Sequence, residues 1–484
     1  MAVSLYTVRV VLNVLGAEDY GIYNVVAGVV TMFSFLTNSM ATASQRYFSF
    51  DLGKNDFVSL KKTFDLTLTI YFFVGCFILL LAETVGLWFI RNKLVLPEKR
   101  FAVAIMVYHF SVTSFFLTIM TAPFLADIIA HEDMSIYAYV SIFEVLLKLV
   151  SVFLLQIFQI DKLWLYGLLL LVVAFLNTSI YRVICRIKYD ECKYSFYWNF
   201  SEVKEMVSYI GWNLIGNTAT VFKNQLVSIL VNQFFNPVVN AARGIALSVN
   251  NAVASFSANF STALNPQIVK CYAANEKEEM YSLVYKGCKL TFFLMWIISL
   301  PFIIEMPSVL ELWLKNIPDY TVSFTQLVLI ESLITSLSFP LMSAAQASGR
   351  IKLYQIVVGG IQLLNLPISW MVLKLGASPI SVMIVSVVIS LIALLLRIII
   401  VNNLVGLSIV RFIFKTIVPI IFVTFFSSLC AVFIHIFLRR ASFGNFVSII
   451  CVVLTTLLLV FVMGLTKQER SAVIETIENR IRIK

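Results

Sequence analysis

Long apolar segments follow one another along nearly the whole chain, parted by short loops that collect most of the charge. A helix needs roughly 20 mainly apolar residues to cross a bilayer. By that measure the pattern predicts spans near 22–50, 63–90, 101–129, 135–158, 163–185, 207–233, 238–268, 282–304, 320–347, 353–373, 378–401, 412–438 and 445–465. A shorter run over residues 2–15 opens the chain and contains Arg9. It reads as a truncated first span, which makes fourteen, or else as a re-entrant or interfacial segment. The segments near 207–233 and 238–268 are weakly apolar and rich in Asn and Ser.

Composition agrees with a membrane class. Hydrophobic residues make up 60% of the 484 positions and charged residues 13%, with 41 Phe. A soluble domain carries about 25% charged residues and has no way to bury so much apolar surface. The net charge of +10 would suggest nucleic acid in a soluble protein. Here the basic residues sit in short loops, where they set topology, so no nucleic-acid partner is expected. The seven Cys form no close CxxC pair and the three His stand apart in sequence, so no metal or redox site is expected. The opening MAVSLYTVRVVLNVLG has neither a charged n-region nor a cleavage motif and is not read as a signal peptide.

Loop charge orients the spans. With the start in the cytoplasm and the sides alternating, one set of loops plus the C-terminal tail holds 22 Lys and Arg, and the other set holds nine. This bias predicts both termini on the cytoplasmic side.

The chain also echoes itself at an offset near 220. ATASQRYFSFDLGKNDFVSLKKTFDLTLTIYFF from Ala41 runs in step with STALNPQIVKCYAANEKEEMYSLVYKGCKLTFF from Ser261. Six spans separate the copies, which predicts two parallel halves related by an axis along the membrane normal. The expected fold is therefore an all-α polytopic membrane protein of about 14 transmembrane helices in two pseudo-symmetric six-helix lobes plus a C-terminal helix pair. The lobes are residues 1–190 and 195–402, the pair 412–465, and the cytoplasmic tail 466–484. The aromatic, charged linker RIKYDECKYSFYWNFSEVKEMV suits the membrane interface. No GxxxxGK[ST] occurs and no large extramembrane loop carries clustered acids, so neither an ATP-driven motor nor an enzyme is expected.

Five basic residues fall inside spans: Arg9, Arg46, Lys148, Lys223 and Arg243. Each costs about 2.5–3.5 kcal/mol near a helix centre unless it meets water, a partner or a ligand. Arg46 lies near a helix end, where snorkelling to the headgroups is the plain alternative. Lys148 follows Glu144 by four residues, the spacing of a structural ion pair. Lys223 and Arg243 sit in the most polar pair of segments, with Asn213, Asn217, Asn224, Asn240 and Asn250. So many polar groups line a wet cavity or pack between helices. Amides match hydroxyl-rich cargo and cations match anions. Among intramembrane acids, Asp127 and Glu83 are weak candidates for coupling, while Asp65 and Glu331 are expected near helix ends.

The opening TVRVVLNVLGAEDYGIYNVVAGVV, followed by SQRYFSFDLGKND, resembles bacterial O-antigen and polysaccharide flippases of the multidrug/oligosaccharidyl-lipid/polysaccharide exporter superfamily. Its most specific piece is Arg9…Leu15-Gly16…Tyr20-Gly21-Ile22-Tyr23. The resemblance implies alternating-access translocation of undecaprenyl-pyrophosphate-linked oligosaccharide across the bacterial inner membrane, for O-antigen or other surface polysaccharide synthesis. It implies no cofactor beyond a coupling ion, proton or sodium, or the membrane potential. The implied partners are the lipid-linked substrate, membrane lipids and polysaccharide polymerase machinery, for a functional monomer. By position it assigns substrate contacts to Arg46, Lys223, Arg243 and Arg9. The rival within the fold is an ion-coupled multidrug exporter.

Overall fold

The computed structural model describes residues 2–31, 33–93, 97–235, 237–314, 317–438 and 444–482, and among them all regular structure is helical. This is the expected outcome for a chain solvated by lipid, because a helix satisfies its own backbone hydrogen bonds where no water can. The chain forms two compact units, Met1–Leu214 and Ile215–Lys484.

The first unit contains α1 (Ala2–Thr31), α2 (Ser34–Gly53), α3 (Phe57–Leu81), α4 (Leu87–Lys93), α5 (Phe101–Ala130), α6 (Met134–Ile157) and α7 (Lys162–Lys188). A π-helical turn, Ala82–Gly86, joins α3 to α4, and a 3-10 turn, Asp190–Cys192, follows α7. α5 is the central helix, packed on α7, α2, α3 and α1. Phe64 of α3 meets Phe124 of α5 edge-on, with ring centroids 5.5 Å apart, within a core that also takes in Phe48, Tyr181 and Cys185.

α8 (Phe200–Phe234) begins in the first unit and ends in the second. The second unit continues with α9 (Pro237–Ala273), α10 (Lys277–Ile304), α11 (Met306–Trp313), α12 (Thr321–Ser336), α13 (Ser338–Ala347), α14 (Lys352–Leu363) and α15 (Asn365–Lys374). It closes with α16 (Ile380–Val405), α17 (Ile409–Phe412), α18 (Val418–Leu438), α19 (Gly444–Leu459) and α20 (Lys467–Arg482). α9 packs against α10, α12 and α13, and α12 against α16. α18 and α19 pair with each other and with α10.

Among the described residues, ten helical stretches are long and apolar enough to cross a membrane, including Phe57–Asn92, Thr321–Ala347 and Ile380–Val405. The other four expected spans fall in α1, α2, α8 and α9, which are helical but more polar. Length and hydropathy thus mark ten of the spans among the described residues. The first two boundaries also differ from expectation. α1 runs past residue 15 with a kink at Gly16 (φ 80°, ψ 167°), a conformation open to glycine. The expected span 22–50 is divided between α1 and α2.

The echo reappears in the backbone. Asn55 (φ 56°) and Asn275 (φ 64°) both end a helix in the left-handed conformation. The next residues close equivalent bonds, Asp56 N to Asp51 O at 3.1 Å and Glu276 N to Cys271 O at 2.9 Å. These are Schellman-type C-caps, and Asn tolerates the left-handed position better than most side chains. Outward apolar faces complete the membrane pattern. Phe433 and Phe437 of α18 are 69% and 75% exposed, and Phe196 and Trp198 are exposed in the linker before α8.

Candidate functional site

Polar clusters interrupt the apolar helices in both units. In the second unit, α8 supplies Lys223, α9 supplies Arg243, α12 supplies Glu331 and α16 supplies Ser390. Lys223 Nζ donates to Glu331 Oε1 at 2.5 Å, and Ser390 Oγ donates to the same oxygen at 3.0 Å. Arg243 donates to the Ser228 hydroxyl and interacts electrostatically with Glu331, while its Nε is buried without a hydrogen bond. One carboxylate therefore faces two buried cations. Burying either partner alone would be costly, and the pair offsets that cost only through close geometry and extra hydrogen bonds. Both are present here.

Glu331 stands in the middle of the stretch Thr321–Ala347, not at a helix end as expected from sequence. Its partner Lys223 lies 108 positions away, so no sequence spacing marks the pair. A lone acid in an apolar run, four helices from its cation, leaves no local signature.

In the first unit a pocket of about 460 Å³ opens between α2, α5, α6 and α7. Glu144 and Lys148 pair along its α6 wall at 2.6 Å, and Asn177 Nδ2 of α7 donates to the other Glu144 oxygen at 3.1 Å. The hydroxyls of Thr121 and Thr178 are 2.7 Å apart, and Thr37 and Asn38 of α2 complete the polar side. The (i, i+4) spacing found the ion pair. It gave no sign that the pair lines a pocket.

The remaining candidates are dispersed. Arg46 is 8% exposed and stacks on Tyr47, Phe50 and Tyr209, its guanidinium 4.7, 4.7 and 5.6 Å from the three ring centroids. Asn213 is buried and hydrogen-bonded to Tyr209. Asn224 is exposed, and Asn217, Asn240 and Asn250 are half-buried, with Asn250 Oδ1 enclosed and unbonded. Arg9 belongs to α1, but its side chain lies outside the described residues. Glu83 meets His109 Nδ1 at 2.9 Å, and Asp127 is fully buried near the end of α5. The histidines do not stand apart in space: His131 meets Glu191 at 2.6 Å and His435 meets Glu305 at 2.7 Å.

A second pocket, of about 520 Å³, lies where α10 meets the start of α20, with Lys286, Lys289, Lys415 and Lys467 on its walls. Lys289 pairs with Glu469 at 2.7 Å. Burial would raise the Glu469 carboxyl, but the hydrogen bonds from Lys289 and the Thr466 N–H hold it below the usual glutamate range.

Residues 214–371 match the family model MatE. Among curated proteins none matches the chain. Several solved structures share the fold. A multidrug resistance MATE family transporter of the MOP superfamily in an outward-facing conformation superposes with a TM-score of 0.72 at 12% identity, covering 84% of this chain and 93% of the other. A MOP superfamily transporter from Pyrococcus furiosus, reported with a binding pocket of reversed polarity suggesting a different function, gives 0.68 at 12% identity, with 84% and 93% covered. The Vibrio cholerae MATE transporter VcmN in its bent form gives 0.62 at 12% identity, with 86% and 100% covered. These are transporters and not enzymes. They correct the reading of the chain as an O-antigen or polysaccharide flippase, and with it the lipid-linked oligosaccharide substrate, the role in surface polysaccharide synthesis and the polymerase partner. The flippase resemblance rested on the opening residues, whereas the family match lies in the Asn-rich segments and the helices after them. Cations among amides fit any anionic or polar solute, so the pattern of charges never required a glycan. The chain is a polytopic membrane protein with the fold of MATE transporters, and its Lys223–Glu331 pair lies within the stretch that matches MatE.

Proposed function

We propose that this chain is an ion-coupled exporter of small organic molecules that works by alternating access. The observation that carries the reading is the buried Lys223–Glu331 pair inside the MatE-matching stretch of a MATE-like fold. A proton or sodium ion neutralising Glu331 would leave Lys223 without its counter-charge at membrane depth. The helices that hold the two residues then have reason to prefer a different arrangement, and a coupling ion shifts a two-state equilibrium only through such a difference. Asp127 and Glu83 serve coupling less well, because each faces a histidine near a helix end or turn. On this reading the two lobes, 1–190 and 195–402, move relative to each other. The terminal pair 412–465 stays at the side, and both termini lie in the cytoplasm of a bacterial inner-membrane protein.

A second reading concerns cargo polarity. Two cations face one acid in the second unit, which favours an anionic or zwitterionic solute over the cationic drugs of a multidrug exporter. The Pyrococcus furiosus transporter of reversed pocket polarity is a precedent for such a change within the fold. Reconstituted vesicles with an imposed pH or sodium gradient test both readings. Gradient-driven movement of an organic dye that Glu331→Gln abolishes supports coupling, and the preference between a cationic and an anionic dye decides polarity. Dye movement unaffected by either gradient overturns the proposal.

A further inference from the structure

Two chain segments of the first unit bring ligand-type side chains together at one end of the bundle. Asp127 lies in the last turn of α5, His131 caps that helix, and Glu191 and Cys192 belong to the 3-10 turn after α7. One nitrogen or oxygen from each of Asp127, His131 and Glu191 falls within a sphere in which all are within 4.8 Å of one another. His131 Nε2 is 2.6 Å from Glu191 Oε1 and 3.9 Å from Asp127 Oδ1. Asp127 is 0% exposed, and its Oδ1 accepts no hydrogen bond although it points at this gathering. Its other oxygen accepts from Cys192 Sγ at 3.1 Å.

Two carboxylates therefore converge on a single imidazole, which supplies at most one positive charge. A buried carboxylate oxygen without a donor is an expensive omission, and a cation removes it. We propose that Asp127, His131 and Glu191 bind one divalent zinc-class cation. One imidazole and two carboxylates are a ligand set for zinc or a similar first-row ion, with an open fourth position, and the imidazole argues against calcium and magnesium. Cys192 acts as a positioning residue by holding the Asp127 carboxylate. Tyr189 does the same for the imidazole, stacking on it at 4.2 Å with an 11° interplanar angle while its hydroxyl donates to Asp133. The ion would clip the end of α5 to the turn that leads toward α8.

The test uses the full chain purified in detergent and stripped of metal. Cobalt(II) is the spectroscopic probe and zinc(II) the competitor. The site predicts one cobalt per chain with ligand-field absorption of low-coordinate cobalt, displaced by zinc. His131→Gln should weaken binding by about 100-fold or more, and Cys192→Ser, which keeps a hydroxyl donor, by less. The wild-type protein supplies an arm that needs no variant: zinc should protect His131 from acylation by diethyl pyrocarbonate, read by mass spectrometry, while His109 and His435 stay reactive. Absence of bound cobalt, binding unchanged in His131→Gln, or equal protection of all three histidines overturns the proposal.

Discussion

Lys223 on α8 and Glu331 on α12 form a 2.5 Å ion pair with side chains only 8% and 20% exposed, and Ser390 of α16 holds the shared carboxylate oxygen. Removing one member leaves a buried charge alone. Glu331→Gln is expected to destabilise the protein by about 3–5 kcal/mol, whereas the double change Lys223→Met with Glu331→Leu should recover most of that loss. Thermal unfolding in detergent reads the difference. Equal losses in the single and double variants would show that the pair is not energetically coupled.

The pocket of the first unit makes a separate prediction. Asn177 of α7 orients Glu144 of α6 in the pocket wall. Asn177→Leu removes one charge-assisted hydrogen bond, about 1.5–3 kcal/mol at most, without touching the α5–α7 core. The variant should fold normally and raise the half-saturating concentration of a transported dye by about 10-fold. An unchanged transport curve would place the cargo elsewhere.

Glu469 predicts a pH dependence. Its carboxyl is held below the ordinary value of 4.5, with burial opposing and Lys289 supplying the stabilising hydrogen bond. A depressed folded value means that this stabilisation is complete above about pH 4.5 and is lost as pH falls through the folded value. Thermal unfolding of the wild type should therefore decline more steeply on acidification below that point than unfolding of Glu469→Gln. Parallel curves would remove Glu469 from the account.

Gly464, in the π turn that ends the last apolar stretch, permits a close approach. A Cβ there would sit 2.6 Å from Phe293 Cε2 and 2.8 Å from its Cζ, and Phe293 is 1% exposed. Gly464→Val should cost about 1–3 kcal/mol through overpacking, and combining it with Phe293→Leu should return part of the loss. A lower melting temperature that the second change fails to restore would assign the effect to the backbone of the turn.

Much of the architecture was legible because its causes are local. Each apolar run must become a helix in lipid, and the GKND and AANE segments carry their own left-handed Asn caps at Asn55 and Asn275. The polar excess of 207–233 and 238–268 also marked α8 and α9, which hold Lys223 and Arg243. The kink at Gly16 was less legible. Glycine permits the positive φ there, but nothing in the flanking residues requires it.

The sequence alone therefore determined the solvent of this protein, the helical character of its segments and the places where polarity breaks the pattern. Only the tertiary structure decided which breaks meet. Glu331 finds Lys223, Asn177 finds Glu144, and the Asp127–His131 end of α5 finds Glu191. The reason is physical: lipid is as apolar as the side chains facing it, so hydrophobicity fixes that a helix spans but says little about its rotation or neighbours. Those are set by close packing and by the few polar pairs, whose members lie on different helices.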